Sequence, residues 1–472
     1  MSKKTKEPKL VMNRNRYLEL LLYITIVGSA LRFYNLGFNS LWLDEAATFT
    51  NINSASISTV LTNVFNDHHA PLYFIVVWLV HFISSSEFWL RVPSVLAGIA
   101  TIPVVYFLGK EVVNEKVGLF AALLLAVAPY HIYYSQEARM YTFTTLFVTL
   151  AYYLFFRASK SEDGRYWVAM WLCCAAAFYT HFYTGFVTVP IIIGLRFKDA
   201  TPLPKNLNWF AGGAIGAFLL VLPILYSFLN QASYLGGRTY AWGLPATMIP
   251  FATLQFFSFQ NEIIAAIFLL LAILGFWLAY KKDGLLAVTL GIFLLVPILI
   301  SMLMSTKIPF NVRYHIYLLP LFLVIVSIGI ERLTRIWQNR NAVFAAVFLI
   351  FVAALIILPA YYSHYSKEDW RGFSTNLAHT TNIGDTVVVL PAYMRLPFTY
   401  YYSNTTDVTI LRGANSVDEL QTITSDRRIL YVVTGDLNAQ DSSGMAWKWL
   451  QENTKPVGQY TGIYLFVKEP AL

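Results

Sequence analysis

Apolar residues in this chain fall into long, nearly unbroken runs. Eleven of them, near 17–36, 91–108, 117–134, 140–157, 166–182, 183–196, 208–229, 261–280, 285–303, 314–331 and 342–362, approach the ~20 residues a helix needs to cross a bilayer. The stretch between the first two is patterned differently. Ile52, Val60, Leu61, Val64 and Phe65 recur at helical spacing and predict an amphipathic helix over 52–66. PLYFIVVWLVHFISS, residues 71–85, is apolar but short, opens on a proline and contains His81, which predicts a second helix lying at the interface. Beyond Tyr362 the pattern changes again. Short apolar strands (DTVVVL, DVTIL, RRILYVV and YLFV) alternate with helical stretches around 370–381, 396–403, 416–423 and 443–453, as in a small α/β domain. The expected fold is a polytopic α-helical membrane protein of about eleven spans, with outer interfacial helices and a small C-terminal α/β domain.

Composition supports this reading. Hydrophobic residues make up 57% of the 472 and charged residues 13%, against ~25% charge in soluble domains. The two cysteines, Cys173 and Cys174, are adjacent in one apolar run, so a disulfide framework and a cysteine metal site are excluded. The net charge of +8 follows topology and not nucleic-acid binding. Nineteen Lys and Arg fall in residues 1–16 and in alternate connectors, and six (Arg32, Arg91, Arg139, Arg238, Lys307 and Arg313) on the opposite side. The positive-inside rule then places the N-terminus in the cytoplasm and the C-terminal domain outside a multi-pass cell membrane protein. The expected division is a basic cytoplasmic tail at 1–16, a transmembrane catalytic domain at 17–362 with a first outer loop at 37–90, and a soluble extracytoplasmic domain at 363–472. The tail has no cleavage site and leads into a full span.

This topology leaves six carboxylates on the outer face of the membrane domain: Asp44, Glu45, Asp67, Glu87, Glu137 and Glu262. The first outer loop reads SLWLDEAATF, then NDHHAPLYF. The next holds His131, Glu137 and Arg139 in YHIYYSQEARMY; His181 stands in YTHFYTG, and Lys307, Arg313, Tyr314 and His315 in STKIPFNVRYHIY. Charges at the hydrocarbon boundary are costly unless paired, hydrated or used, so their gathering on one face marks a site. Taken singly, each has a plainer role, such as a helix cap, a local Glu137–Arg139 pair, or an arginine snorkelling to headgroups.

The order DE, HHAPLY, LRVPS, YSQEARMY and RYHIYLLP resembles the polyprenyl-phosphate-sugar-dependent glycosyltransferases of the GT-C superfamily, in particular the protein mannosyltransferase and aminoarabinose transferase branch. The resemblance covers about residues 17–330. It implies a catalytic Asp on the first outer loop, matched by Asp44 with Glu45 beside it, and a second acidic position matched by Glu137. Where that family has His-Pro-Pro-Leu or Glu-Lys-Pro-Pro-Leu, this chain has His69-Ala70-Pro71-Leu72 preceded by His68. A divalent metal ion is the candidate cofactor, with Asp44, His68, His69 and Glu137 as its candidate ligands. The implied partners are a polyprenyl-phosphate sugar, the bilayer, and a protein, glycolipid or glycan acceptor.

The residues suit that chemistry on their own terms. A lipid phosphate is a good leaving group and needs no general acid. The site must deprotonate an acceptor and neutralise charge growing on phosphate. Asp44 fits the first task; His69, Arg139, His181, Arg313 and Tyr314 are candidates for binding the donor and its phosphate. No separately placed nucleophile points to a double displacement, so direct attack with inversion is expected. A transporter or flippase of a lipid-linked sugar is the alternative from another class; it should carry Gly/Pro-broken or ionisable sequence at mid-membrane.

Overall fold

The computed structural model describes residues 13–197, 206–235, 243–336, 340–363, 366–402 and 410–470. The tail through residue 12, Lys198, Lys205, Arg238 and the first residues of the DVTIL strand lie outside them. All eleven expected apolar segments are helical. They are α1 (Arg14–Phe33), α5 (Glu87–Val112), α6 (Glu115–Val127) with α7 (Pro129–Ser135), α8 (Tyr141–Lys160) and α9 (Arg165–Thr180). The series continues with a 3-10 turn at Phe182–Val187 leading into α10 (Thr188–Phe197), α11 (Leu207–Leu235), α13 (Glu262–Lys282) and α14 (Gly284–Met304). It ends with α15 (Leu319–Ile336), entered by a 3-10 turn at Val312–Leu318, and α16 (Arg340–Ser363). Among the described residues, five helices are long and apolar enough to cross a membrane, six if the bent pair α6–α7 is one span. The protein is therefore a multi-pass helical membrane protein. Its outward faces are apolar as well, with Ile263, Leu270 and Leu303 exposed, as expected of surface that meets hydrocarbon and not water.

The 60° bend between α6 and α7 has a local cause. Pro129 has no N–H to continue the ladder and pushes Ala128 into an extended conformation. The carbonyls freed at the end of α6 are taken by Arg32. Its fully buried guanidinium donates to Leu125 O (3.0 Å), Ala126 O (2.9 Å) and Gly28 O (2.8 Å) and lies 2.8 Å from His131 Nδ1. His131 is thus part of a structural brace. Elsewhere, α13 and α15 cross through Gly275 and Gly329. A Cβ at either would come within 2.2–2.3 Å of a carbonyl on the other helix.

The loop between α1 and α5 holds three short helices where two were expected: α2 (Leu43–Ile52), α3 (Ile57–Asn66) and α4 (Leu72–His81). The helix expected over 52–66 is interrupted at 53–56, and the DEAATF stretch, read as loop, is helical. At ten residues, ~15 Å, α4 is too short to span. The remaining element of the helical domain is α12 (Ile249–Phe257).

The C-terminal part is a five-stranded sheet of order β2-β1-β3-β5-β4, built from β1 (Thr386–Leu390), β2 (Ile410–Gly413), β3 (Ile429–Thr434), β4 (Lys455–Tyr460) and β5 (Ile463–Lys468). β1 is parallel to β2 and β3, and β5 is antiparallel to its neighbours. β1 and β3 are buried throughout because helices cover both faces. α17 (Trp370–Thr380) and α18 (Arg395–Tyr402) pack Trp370, Phe373 and Phe398 on one side. α19 (Val417–Thr422), the short α20 (Leu437–Gln440) and α21 (Met445–Asn453) cover the other with Leu420, Leu437 and Leu450.

This domain sits directly on the loop between α1 and α5. Tyr401 accepts from Leu41 N (2.7 Å) and donates to Glu87 (2.8 Å), Arg371 pairs with Glu87 at 2.6 Å, and Tyr400 meets Phe49 edge-on at 4.8 Å. The C-terminal α/β domain and α2–α4 therefore share one end of the helical domain. Lys110–Glu115 and the Glu111 pairs with Arg157 and Lys160 occupy the connectors at helix ends elsewhere.

Candidate active site

The site is built on the first turn of α2. Asp44 and Glu45 occupy this turn, where the helix dipole favours negative charge. Successive residues on a helix point about 100° apart, so the two carboxylates go to different partners.

Glu45 turns inward and is completely enclosed. Arg91 on α5 grips it with two parallel hydrogen bonds of 2.8 Å, Ala138 N donates at 2.7 Å, and Lys367 Nζ lies 3.0 Å away. Arg91 also donates to the carbonyls of Leu36 (2.8 Å), Asn39 (2.9 Å) and Ser40 (3.1 Å), so one guanidinium organises the chain leading into α2. Burial acts to raise the Glu45 carboxyl, but Arg91 and Lys367 outweigh it and hold it down at about 2.

Asp44 faces a cationic pocket. Arg313 Nη1 donates to Asp44 Oδ2 at 2.8 Å across 269 residues of sequence, and Arg139 Nε lies 4.0 Å from the same oxygen. Arg139 also reaches the Asp44 carbonyl and Thr48 Oγ1, both at 3.2 Å. Burial pushes the Asp44 carboxyl up; Arg313, then Arg139, more than offset it and hold it below the usual carboxylate range. The Arg313 guanidinium stands 5.6 Å from the ring of Tyr141 and 5.8 Å from those of Trp42 and Tyr314. The His181 ring is 5.1 Å from Tyr314, and its Nδ1 accepts from Tyr183 N. His69 stacks on Phe74 at 5.4 Å, with Nε2 3.5 Å from Asp67. Burial, reinforced by Arg139, holds that imidazole neutral. Asp67 accepts from Asn51 at 2.7 Å, and burial raises its carboxyl.

The fold therefore brings Asp44, Arg139, His69, His181, Arg313 and Tyr314 to one place. It sends others elsewhere. Glu137 does not form the local pair with Arg139 that was its plainer reading; it faces Lys367, 3.2 Å away, on the Glu45 side. Burial raises its carboxyl and nearby Glu45 adds to this, against Lys367. His68, in a left-handed conformation (φ +58°), lays its ring against Tyr234 at 4.6 Å. His315 is fixed between Thr253 and Ser301. The proposed metal set thus does not fit a cation as arranged. Among the described residues no three His, Cys, Asp or Glu side chains gather to hold one, and Asp44 is already faced by two guanidinium groups. Sequence reasoning missed Arg91 and Lys367. Arg91 stands in the quoted LRVPS motif and is one of the six basic residues expected on the side opposite the basic connectors, a signal that could have found it; Lys367 offers none.

An apolar cavity of about 460 Å³ opens between α9, the 182–187 turn and α11, lined by Trp171, Phe178, Phe182, Phe218, Leu222 and Phe228. The turn that walls it begins directly after His181.

Comparison with known proteins agrees with the motif series. The profile of the dolichyl-phosphate-mannose-protein mannosyltransferase family matches residues 68–227. ArnT from Cupriavidus metallidurans in the apo state superposes with a TM-score of 0.61 at 14% identity, over 96% of this chain and 98% of that one. The same protein bound to undecaprenyl phosphate gives 0.58 at 13%, with the same coverage. The oligosaccharyltransferase AglB from Archaeoglobus fulgidus, in complex with an inhibitory peptide and a dolichol-phosphate, gives 0.59 at 13% over 96% and 74%. A curated but uncharacterized protein from Aquifex aeolicus is 26% identical over 220 residues, and the match spans 44% of each protein. The chain shares the fold of ArnT and of the oligosaccharyltransferase AglB.

Proposed function

We propose that this protein is a membrane glycosyltransferase that moves a sugar from a polyprenyl-phosphate donor to an acceptor on the outer side of the membrane. The observation that carries this reading is the junction of one carboxylate, Asp44, with two guanidinium groups, Arg139 and Arg313, at the end of a GT-C-fold helical domain. The bound undecaprenyl phosphate of ArnT and dolichol-phosphate of AglB support the donor class. The apolar cavity beside His181 suits a polyprenyl tail.

In the free site Asp44 and the two arginines neutralise one another. A donor phosphate competes for the guanidinium groups and leaves Asp44 more basic. The acceptor hydroxyl or amine then gives its proton to Asp44 while its oxygen or nitrogen bonds to the anomeric carbon from the side opposite phosphate. The carbon–oxygen bond to phosphate breaks, its electron pair stays on the phosphate, and Arg139 and Arg313 hold the added charge. Glu45 and Glu137 are anions that position the site, and no step is assigned to a metal ion. The test is incubation of purified protein with a panel of polyprenyl-phosphate sugars. Acceptor-dependent release of polyprenyl phosphate is expected, and its absence across the panel refutes the reading.

Arg313→Ala should weaken donor binding by roughly tenfold to a hundredfold, the worth of a charge-assisted contact in a partly desolvated site. Arg313→Lys should recover only part of this, because an ammonium lacks the directed fork. Unchanged donor affinity with lower detergent stability would reduce Arg313 to an anchor.

The eleven-span arrangement with an outside C-terminus has its own check. In a background lacking Cys173 and Cys174, Asn376→Cys on α17 should react with an impermeant thiol reagent in intact cells. Lys282→Cys, exposed at the end of α13, should react only after permeabilisation. The reverse pattern would overturn the orientation.

A further inference from the structure

Lys367 belongs to the segment joining the helical domain to the soluble domain, three residues before α17. Its side chain is only 6% exposed, an unusual state for a lysine. Nζ lies 3.0 Å from Glu45 Oε2 and 3.2 Å from Glu137 Oε1, between the rings of Trp42 and Tyr133, 5.7 and 5.6 Å away. Each contact has a consequence for the site. Glu45 follows Asp44 in the first turn of α2 and accepts from Ala138 N. Glu137 and Ala138 lead into Arg139, which holds the Asp44 carbonyl. Trp42 caps α2 and also flanks Arg313. The ammonium therefore sits where the two strands of chain carrying Asp44 and Arg139 meet.

We propose that Lys367 is a positioning residue for the transfer site. Its buried charge binds the first turn of α2 to the 136–139 loop, so that Asp44 and Arg139 are aligned only when the soluble domain is docked. The soluble domain is then a working part of the site. Neighbouring contacts fit this role: Ser366 N donates to Asn39, Arg371 N to Ser40 Oγ, and the Arg371 guanidinium to Gly37 O. These hold the segment on either side of Lys367 against the chain that leads into α2. Without the ammonium, Glu45 keeps Arg91. Glu137 is left with Glu45, Arg313 and Asp44 as its charged surroundings. Two neighbouring buried carboxylates then cannot both stay charged, and Glu137 takes up a proton at higher pH.

The proposal rests on the glycosyl-transfer reading for its activity readout alone, and a structural readout runs beside it. Lys367→Met should lower kcat by up to ~10²-fold, the effect of misplacing reacting groups by about an ångström, with little change in donor affinity. The acid limb of its pH–rate profile should move to higher pH. Hydrogen exchange at 41–46 and 136–139 should quicken. Lys367→Arg, which keeps the cation, should restore the acid limb. Arg371→Ala loosens docking without removing the charge and should leave the acid limb in place. If Lys367→Met does not give folded protein, Lys367→Gln carries the same expectations. A Lys367 variant with wild-type kcat and pH profile, or with lower thermal stability as its sole change, overturns the proposal. If the wild type releases polyprenyl phosphate from no donor, the function reading falls. Hydrogen exchange then decides alone, and unchanged exchange at both segments overturns the role of Lys367.

Discussion

Asp44→Asn should lower turnover by at least ~10²-fold, the contribution of a positioned general base, without unfolding the protein. Asparagine keeps the size of the side chain and an oxygen for Arg313, but it cannot accept the acceptor's proton. Donor affinity should hold or rise, because Arg139 and Arg313 lose the carboxylate that competes with phosphate for them. A separation of donor binding from turnover is thus the signature, readable by single-turnover kinetics and direct lipid binding. The pH dependence carries a second signature. The working form is the carboxylate, so activity is present above its pKa and is lost as pH falls through it. In the free protein the arginines hold that pKa below the usual carboxylate range, and kcat/KM should stay flat down into that range. With donor bound the guanidinium groups are shared with phosphate, so the acid limb of kcat should lie at higher pH. Near-normal turnover in Asp44→Asn would remove Asp44 as the base.

Glu45→Gln should be among the most destabilising single changes in the chain, by about 3–5 kcal/mol, the cost of leaving a buried charge without its partner. Arg91 is 1% exposed, and Lys367 shares the same carboxylate. An amide keeps one accepting oxygen there, but its NH2 faces the donors that the second oxygen served, and it neutralises neither cation. A large fall in the unfolding temperature in detergent is expected. Glu45→Gln with Arg91→Met should recover part of it, since the pair is then removed together; the recovery is partial because Arg91 also serves three backbone carbonyls. Linkage gives an acid signature. The folded carboxyl is held at about 2, below its unfolded value, so the pair's stabilisation is complete above the ordinary glutamate range and drains away as pH falls toward 2. The single variant should lack that component of acid unfolding. Wild-type stability in Glu45→Gln would show that the Arg91 grip is dispensable.

How much of this was legible beforehand can be judged from particular elements. The eleven apolar segments are all helical, and four of the five strands of the C-terminal sheet fall at the expected apolar runs, because both signals are local sums over adjacent residues. β4, KPVGQY, escaped notice: it is an exposed edge strand with a proline and a glycine, and has no apolar face to betray it. The helix of α2 escaped notice too. Its sequence LDEAATFTNI is polar where it meets other side chains of the site, so its inward face does not look like a core.

The site divides in the same way. The sequence by itself determined that carboxylates, histidines and arginines would gather at one end of the helical domain, because the cost of placing a charge in hydrocarbon is set by depth, and depth follows from the apolar runs. It did not determine who pairs with whom. Glu137 and Arg139, two positions apart, allowed a local pair, yet Arg139 went to Asp44 and Glu137 to Lys367. Arg313 reached Asp44 across 269 residues, and Glu45 was sealed by Arg91 while its neighbour stayed at the pocket wall. Only the tertiary structure decided these matches. A buried ion pair is fixed by distances of a few ångströms between elements that meet only after packing, and a carboxylate takes whichever cation the packed helices bring within reach.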